Sequence, residues 1–150
     1  MLDPIARLQF ETPPPPPPRT IRENEPSPSS APLRVLVVDD EQLIADTLAA
    51  ILGENGFSAS AAYSGEEALQ AARATPPDVV LSDVLMPRMS GVELGIRLRS
   101  EFPQTRVLLF SGQAATSELM RKAQADGHTF ELFPKPIHPD ELIARLKARR

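Results

Sequence analysis

The chain has 150 residues, with 16 Lys+Arg against 20 Asp+Glu, 2 His, no Cys and no Trp, and 41% of its positions are apolar. That is enough for one ordinary domain with its own core and too little for two. The lack of cysteine excludes a disulfide scaffold, a thiolate zinc site and a cysteine nucleophile, two histidines are too few for an imidazole cage, and a net charge of −4 gives no electrostatic case for binding nucleic acid.

In chain order, the first segment is set apart by proline. There are 17 prolines, ten of them before residue 33 and six in a row from Pro13 to Pro18. With Asn24-Glu25-Pro26-Ser27-Pro28-Ser29-Ser30 behind them, residues 1–32 cannot bury enough apolar surface to offset chain entropy, which predicts a disordered or polyproline II arm. The hexaproline run reads as a spacer, with docking into an aromatic-lined groove of a partner as its other use. Leu2, Ile5, Leu8 and Phe10 are spaced for a short helix. The opening Met1-Leu2-Asp3-Pro4 is unlike a leader, and no apolar run approaches the roughly 18 residues of a membrane span, so the expected location is cytoplasmic, with no membrane partner.

From residue 33 to 150 short β-branched runs alternate with helical periods, the pattern of βα units around a parallel sheet. Strands are predicted at Arg34–Val38, Phe57–Ala62, Asp78–Ser82, Arg106–Ser111 and Phe130–Phe133. Val35-Leu36-Val37-Val38 and Val107-Leu108-Leu109-Phe110 are apolar without alternation, as in strands covered on both faces. Helices are predicted near 42–54, 65–75, 91–102, 114–126 and 139–149. The first lines one face with Ile44, Leu48, Ile51 and Leu52 and is expected to end near Gly53. Ser64-x-x-Glu67 is a capping box for the second, and Pro139 stands where a first-turn proline is tolerated in the fifth. Right-handed crossovers leave few ways to wind five such units; the leading topology is an α/β, doubly wound five-stranded parallel sheet in the order 2-1-3-4-5 with helices on both faces.

In open α/β sheets sites form beyond the carboxyl ends of the strands. The residues expected there are Asp39-Asp40, Asp83, Ser111 and Lys135. Adjacent aspartates alone are as easily a solvated loop; a third from a neighbouring strand changes that. Three carboxylates so close repel one another unless some protonate or a cation joins them, and with no thiolate and little imidazole available that cation is a hard one held by oxygen. Mg²⁺ fits best, since it keeps several waters and takes one or two carboxylates plus a phosphate, whereas calcium wants more ligands than the chain displays. With Lys135 as a point charge and Ser111 as a hydroxyl donor, the set reads as phosphoryl transfer. No Gly-x-x-x-x-Gly-Lys-Ser/Thr loop follows the first strand, and no Gly-x-Gly-x-x-Gly is present to mark a dinucleotide site. A serine nucleophile would need a nearby base, and neither His128 nor His138 lies at an expected strand end, so an aspartate attacking phosphorus is left, with Asp83 best placed.

Val37-Val38-Asp39-Asp40-Glu41, Ser82-Asp83-Val84-Leu85-Met86-Pro87-Arg88-Met89-Ser90-Gly91, Ser111-Gly112 and Lys135-Pro136 resemble the receiver domain of two-component response regulators, over roughly residues 33–149. The resemblance implies a flavodoxin-like (βα)5 fold. It further implies that a sensor histidine kinase or histidine phosphotransfer protein donates a phosphoryl group from its phosphohistidine to Asp83, in a phosphorelay. Asp39, Asp40, Asp83 and the backbone carbonyl of Leu85 would hold Mg²⁺; Ser111 and Lys135 would contact the phosphoryl group, and Gly112 would leave room for it. The Lys135–Pro136 peptide is typically cis in such domains.

The chain departs from the family where an aromatic residue usually stands three positions before the lysine: here it is Leu132, between Phe130 and Phe133. The switch set is thus Ser111, Phe130, Leu132 and Phe133, with the relay itself open. Gly127 to Lys135 is one residue longer than the common spacing and Pro134 precedes the lysine, so the fifth strand is expected to bulge and to lie at an edge. Met86 and Met89 read as loop and core packing, and both histidines as surface or cap residues. Lys147-Ala148-Arg149-Arg150 reads as basic residues complementing a helix dipole before it reads as a DNA-binding tail.

The expected function is a stand-alone receiver, not an enzyme beyond its own phosphorylation and dephosphorylation, that switches an unknown output protein and has a phosphorylation-dependent dimer as one form. A Mg²⁺-dependent aspartyl-phosphate phosphatase would need a carboxylic acid at position 85, where leucine stands, and a receiver-like module that binds without phosphorylation would have no use for the intact set.

Overall fold

The computed structural model describes residues 31–112 and 115–148, in a unit spanning Pro32–Arg150. The predicted arm therefore falls, but for Ala31 and Pro32, outside the described residues. Strands β1 (Arg34–Val38), β2 (Ser58–Ala62), β3 (Val79–Asp83), β4 (Arg106–Ser111) and β5 (Glu131–Pro134) alternate with helices α1 (Gln42–Glu54), α2 (Gly65–Ala74), α3 (Gly91–Glu101), α4 (Ala115–Ala125) and α5 (Pro139–Lys147). Every pairing is parallel and the order is β2-β1-β3-β4-β5, as the periodicity predicts.

The unalternating strands are apolar because both sheet faces are covered. Leu36, Val38, Val80, Val107 and Leu109 point into one cluster with Ala68, Leu69 and Ala72 of α2, Val92, Leu94 and Leu98 of α3 and Ala123 of α4. Val35, Val37, Leu81, Leu108 and Phe110 point into the other, with Ala45, Leu48 and Leu52 of α1 and Leu142 and Leu146 of α5. Each fully buried leucine contributes about 2 kcal/mol of transfer free energy, which sets the helices firmly enough for the loops at the carboxyl edge to be placed. Among the described residues no helix is long and apolar enough to cross a membrane.

Three strands begin one residue later than expected, β2 at Ser58, β3 at Val79 and β5 at Glu131, and the helices end within two residues of their expected ends. Helix α1 runs through Gly53, and its terminator is Gly56 at φ +92°. The Gly56 N–H bonds the Gly53 carbonyl and the Phe57 N–H bonds that of Leu52, which is the double closure a left-handed residue makes possible. Phe57 is consumed by that closure, so β2 starts one residue late. Strand β5 does not bulge: Leu108↔Glu131, Leu109↔Leu132, Phe110↔Phe133 and Ser111↔Pro134 pair without interruption. The Lys135 N–H reaches inward to the Ser111 carbonyl at 3.2 Å. Neighbouring N–H groups face opposite sides of a strand, so the missing one of Pro134 falls on the open edge, where no partner is lost.

The Ser64 hydroxyl accepts the Glu67 N–H at 3.1 Å, and the Glu67 carboxylate accepts the N–H of Tyr63 at 2.7 Å, one residue earlier than an ideal capping box. Replacing this cap, Ser64→Ala, is expected to cost about 1 kcal/mol, read as a lower urea midpoint at unchanged slope.

Candidate functional site

The sheet reverses direction of build between β1 and β3, and loops leaving the two strands open a crevice at their carboxyl ends. Val38 pairs with Ser82, so Asp39, the next residue after β1, stands level with Asp83, the last residue of β3. Asp39, Asp40 and Asp83 each present a carboxylate oxygen within 4.8 Å of the others. From the far side of β3 comes Lys135, one residue beyond β5, whose Nζ lies 3.1 Å from Asp83 Oδ1. Ser111 ends β4 between them. The Lys135–Pro136 peptide is cis.

The three carboxylates are unequal. Asp39 is only 3% exposed, and its Oδ1 accepts the Glu41 N–H at 2.9 Å, turning the chain into α1. Burial drives its carboxyl from the ordinary 3.8 up to about 6; the Glu41 N–H opposes this, the charge of Asp83 adds to it, Lys135 opposes it, and Asp40 adds to it. Asp40 is exposed and Asp83 half-buried. A buried acid crowded by like charge, with an oxygen-only donor set, suits a hard divalent cation with several remaining waters.

Small residues set the spacing. A Cβ on Gly112 would stand 2.8 Å from Lys135 Cβ, so the room glycine leaves at this position is filled by the lysine itself. Gly112→Ala is expected to displace Lys135 with the fold intact, measured as shifted amide resonances at residues 83 and 135 and an unchanged far-UV spectrum. A Cβ on Gly91 would stand 2.2 Å from the Asp83 carbonyl oxygen, and the Gly91 N–H bonds the Val84 carbonyl at 2.8 Å. Ser82, fully buried, donates to the Asp83 carbonyl at 2.9 Å. Nothing local in the sequence marks Gly91 or Ser82 for these contacts, which form only when the loop after β3 folds back on the Asp83 carbonyl. Ser90, which caps α3 by accepting the Glu93 N–H at 3.1 Å, was detectable from the same Ser-x-x-Glu spacing as Ser64.

The expected switch residues occupy three different environments. Phe133 is 2% exposed and meets Phe110 edge-on at 6.1 Å. Phe130 lies outside β5, with the Arg99 guanidinium 4.0 Å from its ring centre and no space for a Cβ on Gly95 beneath it. Leu132 is 42% exposed, and its carbonyl accepts from Arg145 at 2.8 Å. Leu85, in the loop after β3, is exposed. His138 stands at the N-cap of α5 without a side-chain cap bond, and His128 follows α4.

A family profile described as the response regulator receiver domain matches residues 35–147. The chain belongs to this family. As a receiver domain of a two-component system, it is 38% identical over 117 residues to the response regulator MprA of Mycolicibacterium vanbaalenii, covering 78% of this chain and 50% of that protein. MprA of Mycobacterium avium is 36% identical over 116 residues, with coverage of 77% and 50%. The receiver domain thus spans about half the length of these curated relatives. Among solved structures it is similar to the chemotaxis protein CheY4 of Vibrio cholerae, at 31% identity and TM-score 0.67 over 79% of this chain and 98% of that one. It is also similar to a two component transcriptional regulator AraC from Clostridium phytofermentans, at 36% identity and TM-score 0.65 over 77% and 90%.

Proposed function

We propose that Asp83 accepts a phosphoryl group from the phosphohistidine of a sensor histidine kinase or histidine phosphotransfer protein, and that the modified domain changes its binding to an output protein. The observation that carries this reading is the ammonium of Lys135 at 3.1 Å from the one carboxylate that also faces Asp39 and Asp40. Asp39, Asp40, Asp83 and the Leu85 backbone carbonyl would hold Mg²⁺, which would neutralise charge developing on the phosphoryl oxygens. One Asp83 carboxylate oxygen attacks phosphorus, the P–N bond to the donor imidazole breaks, and the departing nitrogen keeps the electron pair and takes a proton. Lys135 holds one phosphoryl oxygen and the Ser111 hydroxyl another; both act by position and charge. Of the expected switch residues, Leu132 at the exposed edge is the one a change at Ser111 would present to a partner, while Phe133 stays in the core.

Incubation with Mg²⁺ and acetyl phosphate should leave an acid-stable, base-labile phosphoryl group on the peptide spanning residues 78–91. No label, or label elsewhere, would overturn the assignment. Omitting Mg²⁺ or adding a chelator is expected to suppress labelling.

A further inference from the structure

The loop from β3 to α3, residues 84–90, carries Leu85 and is pinned at both ends: the Val84 N–H bonds the Phe110 carbonyl at 3.2 Å, and the Gly91 N–H bonds the Val84 carbonyl at 2.8 Å. Between these ends Arg88 sits at φ +68°, in the left-handed region that a side-chain-bearing residue rarely adopts. Such a conformation persists where the surroundings over-determine it. The next residue does so. Met89 is 5% exposed and is buried in the cluster shared by α2 and α3.

The wall of its niche is Gly65, the first residue of α2. A Cβ there would stand 2.5 Å from Met89 Sδ and 2.9 Å from both Met89 Cβ and Cγ. Cβ and Cγ are the root of the side chain, so no rotation about its outer bonds clears the overlap, and an added methyl group has to move the Met89 backbone. Gly65 is not in the left-handed region, so glycine serves here for space and not for conformational freedom. The niche is apolar and closed, as packing at crystal-like density requires; a displaced Met89 therefore drags the loop with it.

We infer that Gly65 is a positioning residue for the receiver site: by seating Met89 against the start of α2 it fixes the loop bearing Leu85, and so the loop side of the metal position. This rests on the proposed reading of Asp83 and its magnesium site. Tests on the full chain are calorimetric Mg²⁺ titration and, in the metal-free protein, the amide resonances of residues 84–90. Gly65→Ala is expected to weaken Mg²⁺ binding about tenfold and to shift those resonances. Met89→Ala, which empties the niche without adding an atom, has to do the same, and the double variant should bind no more weakly than the weaker single, because both act through one contact. Ala72→Gly, on the buried face of α2, lowers stability and leaves Mg²⁺ affinity and the loop resonances unchanged. A folded Gly65→Ala with wild-type affinity and unshifted loop resonances overturns the inference, as do effects that multiply in the double variant. If the wild-type chain takes up no Mg²⁺, the reading of the site fails, while the loop resonances still decide whether Gly65 seats the loop.

Discussion

Asp83→Ala is expected to abolish acyl-phosphate labelling while leaving the fold intact and the metal-free protein slightly more stable at pH 7. The loss of labelling follows from chemistry: Asp39 is buried and committed to the Glu41 N–H, and Asp40 is exposed, so neither carboxylate is placed beside Lys135 as Asp83 is. The stability effect is decided by comparing charges. Asp83 faces two carboxylates within 4.8 Å and one ammonium at 3.1 Å. Removing it takes away two repulsions and one attraction, the latter to a lysine that is a third exposed, where a pair contributes at most about 1 kcal/mol. The net is one unit of repulsion relieved at close range near the surface, about 1 kcal/mol. Undiminished labelling would overturn the assignment of the acceptor, and a lowered urea midpoint would show that the Lys135 pair outweighs the repulsion.

The second large effect is on pH. Asp39 titrates at 3.8 ordinarily and at about 6 in the folded chain. Between these values the native state holds a proton that the unfolded chain has released, so stability falls as pH rises. Below 3.8 both states are protonated and this group contributes no slope; above 6 both are ionised and the cost is fully present. The span corresponds to about 3 kcal/mol for metal-free protein. Saturating Mg²⁺ should remove most of the fall, and Mg²⁺ affinity should rise with pH through the same window, because the cation requires Asp39 ionised. Urea unfolding between pH 4 and 7, with and without Mg²⁺, measures both. If the metal-free wild type does not lose stability through this window relative to Asp39→Asn, a comparison that cancels carboxyls held low by a partner such as Glu101 by Arg73, Asp39 is not held protonated by burial.

The sheet order, the covered strands and the five strand-end positions were legible in the chain because they depend on local pattern. Short unalternating apolar runs suit strands with both faces covered, and right-handed crossovers then place Asp39, Asp40, Asp83, Ser111 and Lys135 at one edge. Where local pattern misled, a contact won. Gly53 is a plausible terminator, yet the helix closes at Gly56, whose N–H bonds the Gly53 carbonyl while that of Phe57 bonds the Leu52 carbonyl. Pro134 suggested a bulge, yet its missing N–H falls on the open side of an edge strand, and the register runs on unbroken.

What the chain alone determined is which groups are available: carboxylate oxygens of the kind a hard cation takes, one ammonium and one hydroxyl. Only the tertiary structure decided how these groups differ and what holds them apart. The rise in the Asp39 titration is a property of burial, to which the charge of Asp83 on another strand adds. The need for glycine at 65, 91 and 112 comes from atoms of Met89, Asp83 and Lys135, two of them many residues away. Periodicity and capping act over a few residues, whereas desolvation and steric exclusion act between segments that meet only after folding, and so leave no local mark in the order of the amino acids.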